Sequence, residues 1–450
     1  MADTAVAPEA AGEALSERPA SVRWSFAHRI FFRFLFCYFV LYALPDSGRV
    51  SLVNYIPGAF NLVSKRYTAL WHSICPWVAI HVFHLSGQAV TYFPTGSGDT
   101  TLGYVQNLLF VVFAMAATLV WSLADYRRPN YETLHAWLRL LVRYTLAFTL
   151  FGYGFAKVFP LQFGTPGFLR LIEPYGDFSP MGSLWWFMGA SIPYIIFSGA
   201  AEVLGGLLLV FRRTAMLGAL VSFGVMLNVA ALNYCYDVPV KLYSSNLVLM
   251  AIFLAARDAR RLFDFFLLNR PTAAADLTAP RLPRRWMRIG ATAFQVLFVG
   301  YCLYGQVHGG WQAYKDRYIN PQRPPLYGLY EVESFARNGQ ELPPLITDST
   351  RWRKMVAQSS AAINVKMMDD SITNFGAEYD TAKGTVSLTA GSDKSHKYTL
   401  AWTRPDADHL TLQGALANGE VSMRLRRIDP MSFRLLSRGY HWINELPFNR

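Results

Sequence analysis

Glu202 is the only charge in the run Ile192–Phe211, IPYIIFSGAAEVLGGLLLVF. A run this long and apolar meets the roughly 17–25 residues that a helix needs to cross a bilayer. A carboxylate at bilayer depth is costly and faces a protein interior or a wet cavity rather than lipid. The run therefore calls for neighbouring helices, and the acid for a polar partner among them.

The rest of the chain can supply those helices. With 52% hydrophobic and only 16% charged residues, its composition suits a polytopic membrane protein better than a soluble globule. Candidate spans lie at Leu102–Leu123, Leu140–Phe159, Ile192–Phe211, Thr214–Tyr236, Leu242–Ala256 and Ile289–Gln306. A short first candidate, Ile30–Leu44, is interrupted by Arg33. The expected fold is mainly α: a polytopic membrane helix bundle of about seven transmembrane helices, plus a C-terminal extramembrane antiparallel β barrel or sandwich.

A net charge of +12 would suit nucleic acid, but the charges sit at the ends of apolar runs. No nucleic-acid partner is expected; the partner is the lipid bilayer. Lys and Arg cluster at Arg18–Arg33, Arg127–Arg143, Arg212–Arg213 and Arg257–Arg288. If all the candidates span, these clusters share one side, the cytoplasm. The expected location is the cell inner membrane, with the N-terminus cytoplasmic and the C-terminal domain periplasmic. A signal peptide over Arg29–Ser47 is the rival reading and would break that parity.

The expected organisation runs in order. Residues 1–25 are a disordered cytoplasmic tail, and 26–135 a two-helix region with a structured outer loop. Residues 136–258 are a helical core, 259–310 a basic connector and last helix, and 311–450 the β domain. In the outer loop, Leu70–Val90 reads as an interfacial or re-entrant helix that Pro76 interrupts. Its His72, His81 and His84 do not share one face, so no metal site is expected. The four cysteines show no CxxC spacing; Cys75 and Cys235 are the pair that an oxidising compartment could link. GSGDTT (Gly96–Thr101) reads as a helix cap, with Asp99 or Thr100 at the N-cap. In the last third, Val386/Leu388, Tyr398/Leu400/Trp402, Leu410/Leu412 and Val421/Met423/Leu425 alternate as strands do, and Asn418-Gly419 is a hairpin signal.

The candidate site gathers on the outer half of the bundle. Lys157 near the end of its span is the donor or base, and Glu202 its acidic counterpart; both are candidate catalytic residues. Tyr153 lies one turn before Lys157 on the same face. Asn228, Asp237, Lys241, Glu173 and Asp99 are candidate substrate-binding groups. Lys157 lies near the end of its helix and Glu202 near mid-span, so contact between them requires the lysine to reach inward, or a water or ligand to bridge.

FGYGFAKVF (Phe151–Phe159), followed by SGAAEVLGGLLLVFRRTAMLGAL (Ser198–Leu220), resembles the DoxX/DoxD-like membrane family. The resemblance covers about residues 136–258 and implies a four-helix core. It also implies a quinone- or thiol-redox-linked oxidoreductase or subunit, with Lys157 and Glu202 carried over by position. A possible redox partner protein follows from it. No cofactor is identified from the residues, but a quinone would fit a pocket at this depth. The alternative is a non-catalytic scaffold that recruits a periplasmic partner through the β domain.

Overall fold

A computed structural model describes residues 23–44, 52–56, 58, 60–93, 96–275, 277, 282–391 and 393–449. Residues 1–22 of the tail expected to be disordered, and part of the basic connector, lie outside them. The helices are α1 (Phe26–Ala43), α2 (Lys65–His81), α3 (Thr101–Ala124), α4 (Glu132–Val158), α5 (Phe168–Leu171), α6 (Pro180–Gly189), α7 (Ile192–Val210), α8 (Ala215–Cys235), α9 (Lys241–Ala256), α10 (Ala259–Phe266) and α11 (Arg285–Tyr314).

By length and composition, five segments among the described residues can cross a membrane: Phe26–Ala43, Thr101–Ala124, Ile192–Val210, Ala215–Cys235 and Arg285–Ile319. The expectation of about seven needs two further helices that do not meet this measure. α9 is apolar but only 16 residues long. α4 has 27 residues, but Arg139, Arg143 and Lys157 dilute its apolar stretch.

Two expected interruptions do not interrupt. Arg33 sits inside α1, 2% exposed, because every arm of its guanidinium is bonded. Nε and Nη2 donate to Tyr131 Oη at 3.0 and 2.6 Å, Nη1 to Ser122 Oγ at 2.8 Å, and Nη2 also to the Asp125 carbonyl at 2.8 Å. A buried charge is tolerated when its donors are spent in this way. Pro76 lies inside α2. Its missing N–H removes one helical bond, but Trp71, Cys75 and Ala79 form a buried stripe that flanks it. The Trp71 ring packs edge-on against Phe110 of α3, 4.9 Å between centroids.

Strands β1 (Gly328–Arg337), β2 (Gln340–Glu341), β3 (Trp352–Ser359), β4 (Ala362–Met367), β5 (Ile372–Asp380), β6 (Thr385–Ala390), β7 (Asp393–Thr403), β8 (His409–Leu416) and β9 (Gly419–Arg427) form one antiparallel sheet. β1 pairs with β9, closing eight strands into a barrel, with the short β2 as an extension of β1. Closure removes the exposed edges that an open sheet would present. The alternating residues read from the sequence fill its interior: Val386, Leu388, Leu400, Leu412, Met423 and Leu425 are all buried. The intervening Arg424 and Arg426 point outward to Glu333 and Glu331. Ala415–Glu420 and Leu416–Gly419 pair across the Asn418-Gly419 turn, as the hairpin signal required.

The chain divides into two compact units. One holds residues 1–149, 206–227 and 239–295; the other holds 150–205, 228–238 and 296–450. Four of the boundaries fall inside α4, α7, α8 and α11, and the fifth in the turn between α8 and α9. In the second unit the barrel is anchored on the loop that follows α4. Lys366 Nζ donates to the Ile172 carbonyl at 3.1 Å, and the Phe168 amide donates to Gln358 Oε1 at 3.0 Å. Phe168, Ile172, Leu329 and Val356 form a small apolar cluster beside these bonds.

Candidate functional site

The second unit holds an ion pair between α4 and α7. Lys157 Nζ lies 2.8 Å from Glu202 Oε1 and 2.9 Å from Oε2, with the side chains 8% and 2% exposed. Of the two expected arrangements it is the first: the lysine reaches inward and bonds the acid directly. The reason lies in helix direction. Gly154 packs against Val203, and Gly199 against Val158, so the two helices run antiparallel. Side chains on a helix lean toward its N-terminus. Lys157 therefore leans back along α4 while Glu202 leans the opposite way along α7, and the two close the offset.

Glycine brings the backbones near enough. A methyl on Gly199 would lie 2.6 Å from the Gly154 carbonyl oxygen and 2.6 Å from Lys157 Cβ. A methyl on Gly154 would meet Val203 Cγ2 at 2.7 Å. Small residues at such crossings let helices approach closely. The Tyr153 ring lies under the ammonium, 5.7 Å from Nζ to the ring centroid, a cation–π contact on the face expected for it.

The other candidate residues disperse. Asn228 and Asp237 are exposed, and Asp237 is left-handed (φ 52°) in the turn after α8. Glu173 pairs with Arg170 three residues away in the same loop. Asp99 and Lys241 belong to the first unit, where they meet each other. Asp99 accepts the amides of Lys241 at 2.7 Å and Leu242 at 3.0 Å, with Lys241 Nζ at 3.9 Å. Asp99 therefore caps α9, not the helix that follows it in sequence. Thr100 caps α3, accepting the Gly103 amide at 3.1 Å. Helix N-termini favour such carboxylates because their first amides lack partners.

The histidines stay apart: His72 stacks on Tyr92 at 3.7 Å between centroids, and His81 Nδ1 is 2.8 Å from the Trp77 carbonyl. Among the described residues no three His, Cys, Asp or Glu side chains gather as metal ligands do. None of the four cysteines forms a disulfide, so Cys75, which is buried, and Cys235, which is exposed, do not pair.

Over 126 residues the chain is 37% identical to Uncharacterized protein YwoB of Bacillus subtilis (strain 168), covering 28% of this chain and 79% of YwoB. The chain belongs to the YwoB family. No protein-family model and no solved structure matches it.

Membership of the YwoB family assigns no reaction, so the roles of residues rest on geometry. Sequence reasoning missed Gly154 and Gly199 as the residues that make the pair. FGYGFAK and FSGAAE do carry the signal, a glycine one turn before each charged residue. It also missed the partner of Asp99, which lies 142 residues away and leaves no local trace.

Proposed function

We propose that the chain is a DoxX-like integral protein of the inner membrane, and that Lys157–Glu202 is a proton-exchanging site for quinone- or thiol-linked redox chemistry. The observation that carries the reading is the directly bonded, buried pair, whose acid is the only charge of α7. Adhesion alone is a poor reason for it, because well-packed apolar residues join helices as well as a buried ion pair does, or better. A proton shared over 2.8 Å can move between ammonium and carboxylate without changing the net charge of the site, which low-dielectric surroundings favour. Tyr153 and Lys157 are the donors for a quinone carbonyl. The overall reaction consistent with this is two thiols plus a quinone giving a disulfide and a quinol, with the chain supplying the proton path.

In this reading α4 and α9 also span, α9 at about 24 Å requiring local thinning of the bilayer. The Arg clusters then lie in the cytoplasm with the N-terminus, and the barrel faces the periplasm. The second reading, a scaffold whose barrel recruits a periplasmic partner, is favoured by one feature: both Glu202 oxygens are taken by Lys157, as in a structural clasp.

The test compares wild type with a Lys157→Met/Glu202→Met double variant, each purified in mild detergent. Co-purified quinone and thiol-dependent quinone reduction are measured alongside thermal stability. A stable double variant that has lost activity supports the redox site. A stable double variant with quinone reduction intact rules that site out, and absence of any quinone or activity in the wild type favours the scaffold.

A further inference from the structure

In the first unit, α4 carries a second set of charges that the Lys157–Glu202 site does not use. His135, Arg139 and Arg143 recur at four-residue spacing, so they share one face of the helix. That face is half-buried. His135 sits edge-on to Phe253 of α9, 5.9 Å between ring centroids, which ties the stripe to the last turn of α9. Arg257 caps the end of α9 and lies within electrostatic range of Arg139, as Arg212 does of Arg143. Arg139 and Arg143 also repel each other, so the positive charges form a row of repelling neighbours, Arg257, Arg139, Arg143 and Arg212. The acid near them, Asp258, is engaged by Arg261 at 2.6 Å.

The Nε atoms of Arg139 and Arg143 are buried and make no hydrogen bond among the described residues, although the Arg143 guanidinium lies against Tyr144, 5.2 Å from its ring centroid. This contrasts with Arg33, each of whose guanidinium nitrogens is bonded. Buried guanidinium donors without acceptors are costly, and a planar fork is matched best by a tetrahedral or planar oxyanion. Following Arg257 in the chain, α10 leaves Phe263, Phe265 and Phe266 exposed, as is Leu267 just after it, next to Arg260 and Arg270. Apolar side chains mixed with arginine suit the interface of an anionic bilayer.

We propose that Arg139 and Arg143, with Arg257 and Arg212 at the rim, form a binding site for a phosphate group. The phosphate is held between α4, the end of α9 and the α7–α8 turn. It comes either from the headgroup of an anionic phospholipid or from a free phosphate ester, and the site is separate from the Lys157–Glu202 pair.

The experiment uses the full chain, extracted in mild detergent and returned to nanodiscs of phosphatidylcholine with or without phosphatidylglycerol. Native mass spectrometry counts retained lipid, and thermal unfolding is followed in both nanodiscs and in detergent with inorganic phosphate. Retained phosphatidylglycerol and a raised melting temperature only in the anionic nanodiscs identify a lipid headgroup. A shift with inorganic phosphate in detergent identifies a soluble source. In either case Arg139→Gln/Arg143→Gln should weaken binding about tenfold or more, two charge-assisted contacts being lost. Arg284→Gln/Arg285→Gln, which removes the same charge from exposed positions, should leave it unchanged. The proposal is overturned if neither source stabilises the wild type, or if the two double variants lose affinity equally. Should Arg139→Gln/Arg143→Gln fold poorly, Arg143→Lys keeps the charge and still loses the fork; undiminished phosphate affinity in that variant also overturns the proposal.

Discussion

Gly199 of α7 and Lys157 of α4 face each other so closely that a methyl on the glycine would lie 2.6 Å from the lysine Cβ. The obstacle is backbone and the root of a side chain, not a flexible tip. Gly199→Ala should therefore force the helices apart and cost about 1–3 kcal/mol, the usual range for overpacking. Gly224→Ala on α8, where a Cβ would meet nothing within 4 Å, is the control and should be neutral within about 1 kcal/mol. Thermal unfolding of the detergent-solubilised chain reads both. Equal behaviour of the two variants would disprove close packing at Gly199.

The ion pair itself has a distinctive mutational signature. Removing one partner leaves a buried charge unpaired, so Glu202→Gln and Lys157→Met should each destabilise by about 3–5 kcal/mol. Removing both removes the penalty, and the Lys157→Met/Glu202→Met double variant should recover most of the loss. A double-mutant cycle measures the coupling. If the single losses simply add, the two side chains are not bonded in the folded protein.

The two charges were legible in the sequence because a charge in an apolar run has few alternatives. Their contact was not, because depth counted along each helix ignores the lean of the side chains. The second half of the barrel was legible from strict alternation between Val386 and Leu425. The first half was not: β1 carries an irregularity between Val332 and Ser334 and β3 another between Trp352 and Lys354, and bulges break the period of two. Asn228 shows the limit of reading polarity as burial. It lies in an apolar helix, yet its side chain is on the exposed face.

Asp99 supplies a cap that α9 lacks on its own, since Val240 at its N-cap position offers no side-chain acceptor. Asp99→Ala removes the acceptor of two amide donors and should cost about 1–2 kcal/mol. Asp99→Asn keeps one acceptor oxygen and should lose less. Hydrogen exchange reports the effect locally: the amides of Lys241 and Leu242 should lose protection in Asp99→Ala while those in the middle of α3 keep theirs. Unchanged protection at both amides would remove Asp99 from the role of cap.

Asp370 ties the turn between β4 and β5 to its neighbours. Its Oδ1 lies 2.9 Å from Lys366 Nζ and 2.7 Å from Arg353 Nη1. The Lys366 ammonium, with Arg353 beside it, holds this carboxyl below the usual carboxylate range. A folded-state value below the unfolded one means that the carboxylate binds its proton less readily when the barrel is folded. The stabilisation is thus fully present above the unfolded value of about 3.9 and is lost as pH falls through the lower folded value. Asp370→Asn removes the charge and still tolerates the left-handed backbone, φ 66°. The variant should therefore be less stable than wild type at neutral pH, and the difference should close in acid. Exchange of the buried Ile363 and Val365 amides of β4, followed from pH 7 downward, measures that difference; a gap that stays constant into acid would show that the Asp370 charge contributes nothing to the barrel.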